Sequence, residues 1–232
     1  TVNIVTRRRG YGGGSVSSVF GTADRSGGGD LTASLGGERA ALTVTGFGRQ
    51  VNDLRAGRGG DSHAAVTRFL GLPSRVLGAR LRDTGFTDFG GSARVGVKFD
   101  THQDLSLYYA RGQQQGGRRY DQLNGGNGNL RSGFDPQVLD FFYSRYERRA
   151  LGWLDSLAAT VSFNRIRDDR QTQSGDPASA ITFDFARTDS RGYQVQATSH
   201  VRSRQVLGWG AELFDESVRS RLHRLSPATG VA

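Results

Sequence analysis

Alternation between apolar and polar side chains, repeated in one strand-length segment after another, is the feature that most constrains this fold. In residues 90–99, Val95 and Val97 share one face while Arg94 and Lys98 share the other. A period of two residues marks a β-strand whose two faces meet different surroundings. The same period occurs in residues 15–23, 30–35, 40–51, 105–111, 138–149, 157–168, 192–201 and 206–214. The pattern therefore predicts an all-β chain of about nine strands.

The connections between these segments are sorted by length. Short turns are predicted at residues 36–39, 100–104, 152–156 and 202–205, and they alternate with long segments at residues 53–87, 112–136 and 169–190. In an antiparallel up-and-down sheet the short turns would all lie at one end and the long loops at the other. Outer-membrane barrels have this asymmetry, with short periplasmic turns and long extracellular loops. A soluble sandwich or propeller has no reason to sort its loops in this way.

Two details complete the predicted topology. A turn at residues 27–29, which are three glycines, is expected to join the first two strands as a hairpin. The strands are expected to be about nine to twelve residues long, close to the roughly 9–11 residues of a tilted barrel strand. The fold predicted is an antiparallel up-and-down transmembrane β-barrel, present here as an incomplete open sheet.

Composition agrees with strands that are polar on one face. Only 35% of the 232 residues are hydrophobic and the mean hydropathy is −0.51, which is low for a globular domain of this length. The chain has no run of eighteen apolar residues, so a transmembrane helix is excluded. Alternating strands average out in a hydropathy window, so a membrane barrel is compatible with these values. Because there is no cysteine, disulfides and thiolate metal sites are excluded as well.

The net charge of +9 does not indicate nucleic-acid binding. Lys98 is the only lysine among the 31 basic residues, and such a skew toward arginine is more typical of coding bias than of a phosphate-binding surface. No arginine-rich helix, zinc-finger spacing or RNA-binding strand motif accompanies the charge. Nucleic acid is therefore not an expected partner.

No catalytic, metal or cofactor site is predicted. The four histidines lack the spacing of metal ligands. The acidic pairs Asp168–Asp169 and Asp215–Glu216 are interpreted as solvated charges at strand ends rather than as acid–base catalysts. No serine lies in a hydrolase motif. The chain is accordingly not expected to be an enzyme.

A resemblance to a known family lies in an ordered set of segments. Residues 2–9, VNIVTRRR, precede a glycine-rich bend and the series of strands. This order resembles the junction between plug and barrel in TonB-dependent outer-membrane receptors. Further similar segments are DSHAAVTRFLGLPS (61–74), GGRRYDQLNGGNGNL (116–130), VLDFFYSRYERRALGWLDSL (138–157), RGYQVQATSH (191–200) and VLGWGAELFDE (206–216). Together they resemble receptors of the ferric-siderophore and heme type.

The resemblance implies a barrel of about 22 strands with a plug in its lumen. Residues 1–10 would be the last strand of the plug, and residues 11–232 the N-terminal part of the barrel. The implied function is energy-coupled import of an iron complex, a siderophore or heme, across the outer membrane of a Gram-negative bacterium. TonB would act through an N-terminal segment that this sequence lacks. The alternative is a passive pore or adhesin-type barrel, which has no energised step.

Candidate ligand contacts lie in the long segment 112–136 and on the lumenal strands. Planar cations, an aromatic ring and amide donors suit an anionic iron chelate or the propionates of heme. The candidates are Arg118, Arg119, Tyr120, Asn124 and Asn127 in the loop, with Arg94 and Lys98 on the strands. The alternative is that the loop residues are ordinary solvated side chains.

Two further arginines continue an apolar row past its end. The apolar row occupies every second position from Leu157 to Phe163, and Arg165 and Arg167 are the next two positions of the same row. On a lipid-facing row they would lie at the outer rim of the barrel. Contact with lipopolysaccharide phosphates and simple solvation are both consistent with this position.

Overall fold

One antiparallel sheet of ten strands makes up the regular structure of the computed structural model, which describes residues 12–55, 80, 82–123, 128–202 and 205–227. The strands are β1 Gly13–Gly21, β2 Ser26–Gly36, β3 Ala40–Val51, β4 Phe86–Lys98, β5 Gln103–Gln115, β6 Gly117–Arg118, β7 Arg131–Leu151, β8 Leu154–Gln173, β9 Ile181–Arg202 and β10 Gln205–Leu225. The described residues include no helix long and apolar enough to span a membrane. The prediction of an all-β open sheet is confirmed. Residues 2–9, the predicted plug strand, lie outside the described residues.

The strands follow one another across the sheet in sequence order, and only the two-residue β6 lies off this path, paired with β7. Residues 22–25, 52–85, 116–130 and 174–180 therefore connect strands at one end, here called the loop end. Residues 37–39, 99–102, 152–153 and 203–204 connect strands at the other end, here called the turn end. The predicted sorting of connections by length is thus present from β2 onward.

The later strands are about twice as long as predicted. β7, β8, β9 and β10 contain 21, 20, 22 and 21 residues. Most of the predicted loop 169–190 is therefore strand, and the predicted loop 112–136 is reduced to residues 116–130. Toward the loop end β8 carries mostly polar side chains on both faces, while in β9 apolar residues return at Ile181, Phe183 and Phe185. The hydrophobic period is therefore interrupted while the backbone pairing continues.

Two smaller predictions were also wrong. Asp168, Asp169, Asp215 and Glu216 lie within β8 and β10, not at strand ends. Gly27–Gly29 are inside β2 and pair with β1, while the turn occupies residues 22–25. A Cβ added at Gly29 would lie 2.6 Å from the Ser17 carbonyl oxygen, so these glycines permit a close approach of two strands.

Two of the short turns at the turn end have a local explanation in the structure. In residues 99–102, Asp100 accepts hydrogen bonds from the His102 backbone N–H at 2.7 Å and from the Gln103 side chain at 2.6 Å. The bond from His102 is the main cause of a lowered pKa of the Asp100 carboxyl. In residues 152–153, Gly152 adopts a φ of 63°, which suits a residue without a Cβ.

The register gives the sheet two unlike faces. The apolar face carries the cross-strand row Leu35, Leu42, Val95, Leu107, Ser144, Val161, Tyr193 and Leu213. The polar face carries Arg94, Lys98, Gln194, Gln196 and Glu212, as predicted.

Within the part of the chain that the structure describes, neither face is buried against a second layer. Leu213 is 65% exposed, Val161 47% and Trp209 46%, all on the apolar face. Side chains of this kind rarely form a continuous exposed surface on a soluble monomer. The apolar face is therefore of the kind that contacts a membrane or another protein surface.

Candidate functional site

Aromatic rings and a guanidinium meet at the middle of the polar face. Arg94 of β4, Tyr108 of β5 and Tyr143 of β7 are direct cross-strand partners. The Arg94 guanidinium lies 5.1 Å from the centre of the Tyr108 ring. Tyr108 in turn contacts Tyr143, with ring centres 5.5 Å apart, and Phe141, at 6.1 Å. The result is an aromatic cluster with a cation stacked against it, a geometry that is favourable for flat or conjugated ligands.

Charged residues of both signs occupy the polar face nearer the turn end. Glu147 lies 3.7 Å from Arg145 and 3.7 Å from Arg149, and Arg149 also pairs with Asp104. Lys98 is opposite Asp104 in the register. These side chains line a shallow cavity together with residues 37–41, which are the turn after β2 and the start of β3. Arginine and carboxylate groups placed this way can exchange partners with a second charged surface.

Sequence reasoning found Lys98 and Arg94 but missed Arg145, Glu147 and Arg149. The signal for them was present, because they share the parity of Tyr143 within β7. Their neighbour Asp104, however, is more than forty residues away in the chain and is brought close only by the pairing of β5 with β7.

The predicted loop residues lie at the loop end. Arg118 forms β6 with Gly117, and its guanidinium pairs with Asp83. Arg119 pairs with Asp121 at 2.9 Å, and Tyr120 is half-buried. Asn124 and Asn127 lie outside the described residues. Both arginines already have a carboxylate partner, so an anionic ligand would compete with Asp83 and Asp121 for them.

The loop residues and Arg94 of the polar face lie far apart. Arg118 is opposite Gly133 of β7, whereas Arg94 and Tyr108 are in the cross-strand row of Tyr143, ten residues further along β7. At about 3.3 Å per residue this corresponds to roughly 33 Å. A small ligand cannot contact both groups at once, so they would act at different stages of a passage along the polar face.

The apolar face also becomes charged toward the loop end. Arg165 pairs with Asp189 at 2.7 Å, and Arg167 pairs with Asp169 at 3.1 Å. On neighbouring strands, Asp140 receives hydrogen bonds from Tyr109 Oη at 2.7 Å and from Arg111 at 3.2 Å. One cross-strand row contains Arg111, Asp140, Arg165 and Asp189. Arg165 and Arg167 thus continue the apolar row, as the sequence indicated.

The histidines of the described residues are dispersed. His102 lies in the turn at residues 99–102, His200 pairs with Asp155, and His223 packs edge-on against Phe185. His63 lies outside the described residues. Within the described ranges, no three His, Cys, Asp or Glu side chains are grouped as metal ligands.

An open, sequential antiparallel sheet with one apolar and one polar face is the architecture of part of a β-barrel. Among solved structures, the chain is similar to one described as "Copper transporter OprC", with a TM-score of 0.69 and 16% sequence identity. The match covers 97% of this chain and 31% of that one, so the chain spans about a third of its length. At this identity the similarity shows the fold alone. No family model matches the sequence, and no curated protein does.

Proposed function

We propose that this chain is part of the barrel of a TonB-dependent transporter in the outer membrane of a Gram-negative bacterium. The observation that carries the proposal is the combination of sorted connections with two unlike faces, since outer-membrane barrels need both. The ordered sequence segments similar to TonB-dependent receptors and the fold similarity to a copper transporter support the same class. In this proposal residues 1–10 are the last strand of a plug and the protein is not an enzyme.

The proposed orientation places the apolar face against lipid, the polar face in the lumen and the loop end outside the cell. It can be tested in the full-length protein with single cysteines, because this segment has none of its own. Ala178→Cys lies at the loop end and Thr101→Cys at the turn end. In a cysteine-free background, a membrane-impermeant maleimide should label intact cells at residue 178 only. Labelling at residue 101 only would invert the orientation, and equal labelling at both would contradict a membrane barrel.

For the cargo we propose an iron complex, either a siderophore or heme. Arg118, Arg119 and Tyr120 would receive it at the loop end, with Asn124 and Asn127 in the same loop. Arg94 and the aromatic cluster would hold it further along the lumen, and Lys98 lies beyond them toward the turn end. Guanidinium groups and aromatic rings match the anionic and flat parts of such complexes.

Copper is the second candidate, on account of the name of the similar structure. This segment contains neither Cys nor Met, so it offers no sulfur ligand of the kind that copper(I) prefers. A copper site in this part of the barrel would have to use the dispersed histidines and carboxylates. The iron complex is therefore the better-supported cargo.

Growth of a receptor-deleted strain on a panel of iron sources, complemented by the full-length gene, tests the cargo. Replacement of Arg118, Arg119 and Tyr120 together by alanine should reduce uptake by about tenfold or more, the equivalent of losing one charge-assisted contact. Arg148→Ala is the matched control, because Arg148 is exposed at the turn end of the apolar face. Unchanged uptake in the triple variant would remove these residues from the site. If the gene restores growth on none of the iron sources but restores copper uptake, the cargo is copper and not an iron complex.

Deletion of TonB separates the proposal from its alternative. An energised transporter loses uptake without TonB, whereas a passive pore or an adhesin-type barrel does not. Loss of growth on the identified iron source in the TonB-deleted strain is the expected result. Uptake that persists would favour the passive barrel.

At the membrane surface we propose that Arg165 and Arg167 face the lipopolysaccharide of the outer leaflet. Their position on the apolar face, just beyond the apolar row that ends at Phe163, supports this arrangement.

A further inference from the structure

Three arginines lie directly opposite one another on the apolar face. Arg167 of β8 pairs in register with Arg187 of β9, which pairs with Arg219 of β10. Neighbouring strands are about 4.8 Å apart, so the three Cα atoms lie within roughly 10 Å. We call this set the arginine row. Like charges directly opposite one another destabilise a sheet unless an opposite charge is bound between them.

The neighbouring row shows how the sheet avoids this problem elsewhere. There the signs alternate from Arg111 to Asp140, Arg165 and Asp189 across four strands. In the arginine row, Arg167 is compensated only by Asp169, and Arg187 shares Asp189 with Arg165. Among the described residues, no acidic side chain pairs with Arg219 or with the adjacent Arg221. The described residues of this region therefore carry an excess of positive charge.

The position of the arginine row indicates the source of the missing anion. On the apolar face of β8 the apolar side chains end at Phe163, four residues before Arg167, or about 13 Å along the strand. An amphiphile whose chains cover the apolar residues would place its phosphate at the arginine row. Arginine binds phosphate in a bidentate manner and is therefore well suited to this contact.

An aromatic group lies on the other side of the arginine row. Phe183 and Phe185 are stacked with ring centres 6.4 Å apart, and His223 contacts Phe185 at 5.9 Å. Phe185 is 43% exposed, and it lines a shallow depression with Arg187, Arg219 and Arg221. Apolar residues, arginines and aromatic rings thus follow one another along the same face toward the loop end.

We infer that the arginine row Arg167–Arg187–Arg219 binds the phosphate of a phosphorylated glycolipid of the outer leaflet. Its acyl chains lie on the apolar residues and its sugars lie toward Phe183 and Phe185. The inference rests on the proposed function, because it requires the apolar face to contact lipid. It adds two arginines and the aromatic group to the contacts suggested by sequence.

The test uses the full-length protein, delipidated in mild detergent, with purified lipopolysaccharide as the probe and native mass spectrometry as the readout. The variant R167Q/R187Q/R219Q should bind lipopolysaccharide at least about tenfold more weakly than the wild type. Arg148→Gln is the matched control, since Arg148 is an exposed arginine of the same face at the turn end. Its binding should not change. Equal binding by the triple variant and the wild type would overturn the inference.

Two further arms identify the source of the phosphate. Enzymatically dephosphorylated lipopolysaccharide should bind the wild type as weakly as the intact lipid binds the triple variant. Inorganic phosphate at millimolar concentration should not displace the lipid. Displacement by phosphate would instead indicate a site for free anions, and undiminished binding of the dephosphorylated lipid would show that the arginines are not the contact. Either result would overturn the inference.

Folding of the variants is checked by heat-modifiable electrophoretic mobility. If the triple variant does not fold, Arg219→Gln alone is used, because no acidic side chain of the described residues pairs with Arg219 and the single substitution breaks no ion pair among them. Arg219→Lys should retain more binding than Arg219→Gln, since it keeps the charge and loses only the bidentate geometry. Equal binding by these two variants and the wild type would remove Arg219 from the site. If lipid binding is lost while cargo uptake remains normal, the arginine row binds lipid without taking part in transport. Failure of the proposed function would instead appear in the cysteine-labelling experiment.

Discussion

The apolar face has two zones that share strands, parity and register but differ in chemistry. Toward the turn end β8 shows Leu157, Val161 and Phe163, and toward the loop end the same parity shows Arg165 and Arg167. Backbone pairing with β7 and β9 continues across the boundary. Strand formation therefore does not require apolar side chains here. The boundary instead reports a change of surroundings, from hydrocarbon to headgroups and water in the proposed orientation.

The largest expected effect comes from placing a charge in the apolar zone. Val161→Arg should destabilise the full-length protein by about 2–4 kcal/mol in lipid vesicles, because a cation on a lipid-facing strand position is poorly solvated. Ser217→Arg is the control, since Ser217 lies on the same face in the charged zone, opposite Asp189. Its effect should be near zero. Denaturant unfolding in vesicles measures both, and equal costs would mean that the two zones have the same surroundings.

A smaller effect is expected from the ion pairs of the charged zone. Asp189→Ala removes the carboxylate shared by Arg165 and Arg187 and should cost about 1 kcal/mol, since the aspartate is largely covered while both arginines remain partly exposed. Asp215→Ala, which removes an exposed pair with Arg191 at 3.4 Å, should cost less. A double-mutant cycle of Asp189→Ala with Arg165→Gln isolates the pair. A coupling energy of zero would show that the pair between Arg165 and Asp189 does not stabilise the sheet.

A substitution in the aromatic cluster of the polar face should have a cost that does not depend on the lipid, unlike a substitution in the apolar zone. Arg94→Gln removes the cation stacked on Tyr108 and should cost about 0.5–1 kcal/mol. Because this face does not contact lipid in the proposed orientation, the cost should be the same in thin and thick bilayers. Unfolding in vesicles of two chain lengths is the measurement. A cost that changes with bilayer thickness would mean that the polar face is not lumenal.

The smallest effect concerns two aspartates in the turns. Their contribution to the pH dependence of stability should be similar at the two ends of the sheet. The pKa of Asp100 at the turn end is lowered mainly by the His102 backbone N–H, and that of Asp24 at the loop end mainly by hydrogen bonds from Ser26. A lowered folded-state pKa gives stability that is present above the ordinary value of about 3.9 and is lost as the pH falls through the folded value. Asp100→Asn and Asp24→Asn should each make the decrease in the free energy of unfolding between pH 5 and pH 2 smaller than in the wild type.

Unfolding midpoints at the two pH values compare the wild type with each variant. A wild-type acid sensitivity that both substitutions leave unchanged would show that these turn hydrogen bonds are not linked to stability. A difference between the two variants would indicate that the ends of the sheet meet different conditions.

Sequence alternation was sufficient to identify the nine longer strands, their order and the two faces, but not the two-residue β6. Arg94, Lys98, Gln194 and Glu212 lie on the predicted face because a period of two residues determines orientation without any knowledge of partners. Arg165 and Arg167 were placed correctly for the same reason. The candidate ligand residues Arg118 and Arg119 were found by composition, and their distance from Arg94 could not be inferred because strand lengths were underestimated.

By itself, then, the sequence determined an all-β chain with sorted connections and one apolar face, since these properties follow from local period and turn composition. Only the tertiary structure decided how far the strands extend, because backbone hydrogen bonds between β7, β8, β9 and β10 persist where the side-chain alternation is interrupted. It also decided which charges meet. Arg187 follows Arg167 by 20 residues and Arg219 follows Arg187 by 32, and only the antiparallel register places the three side by side.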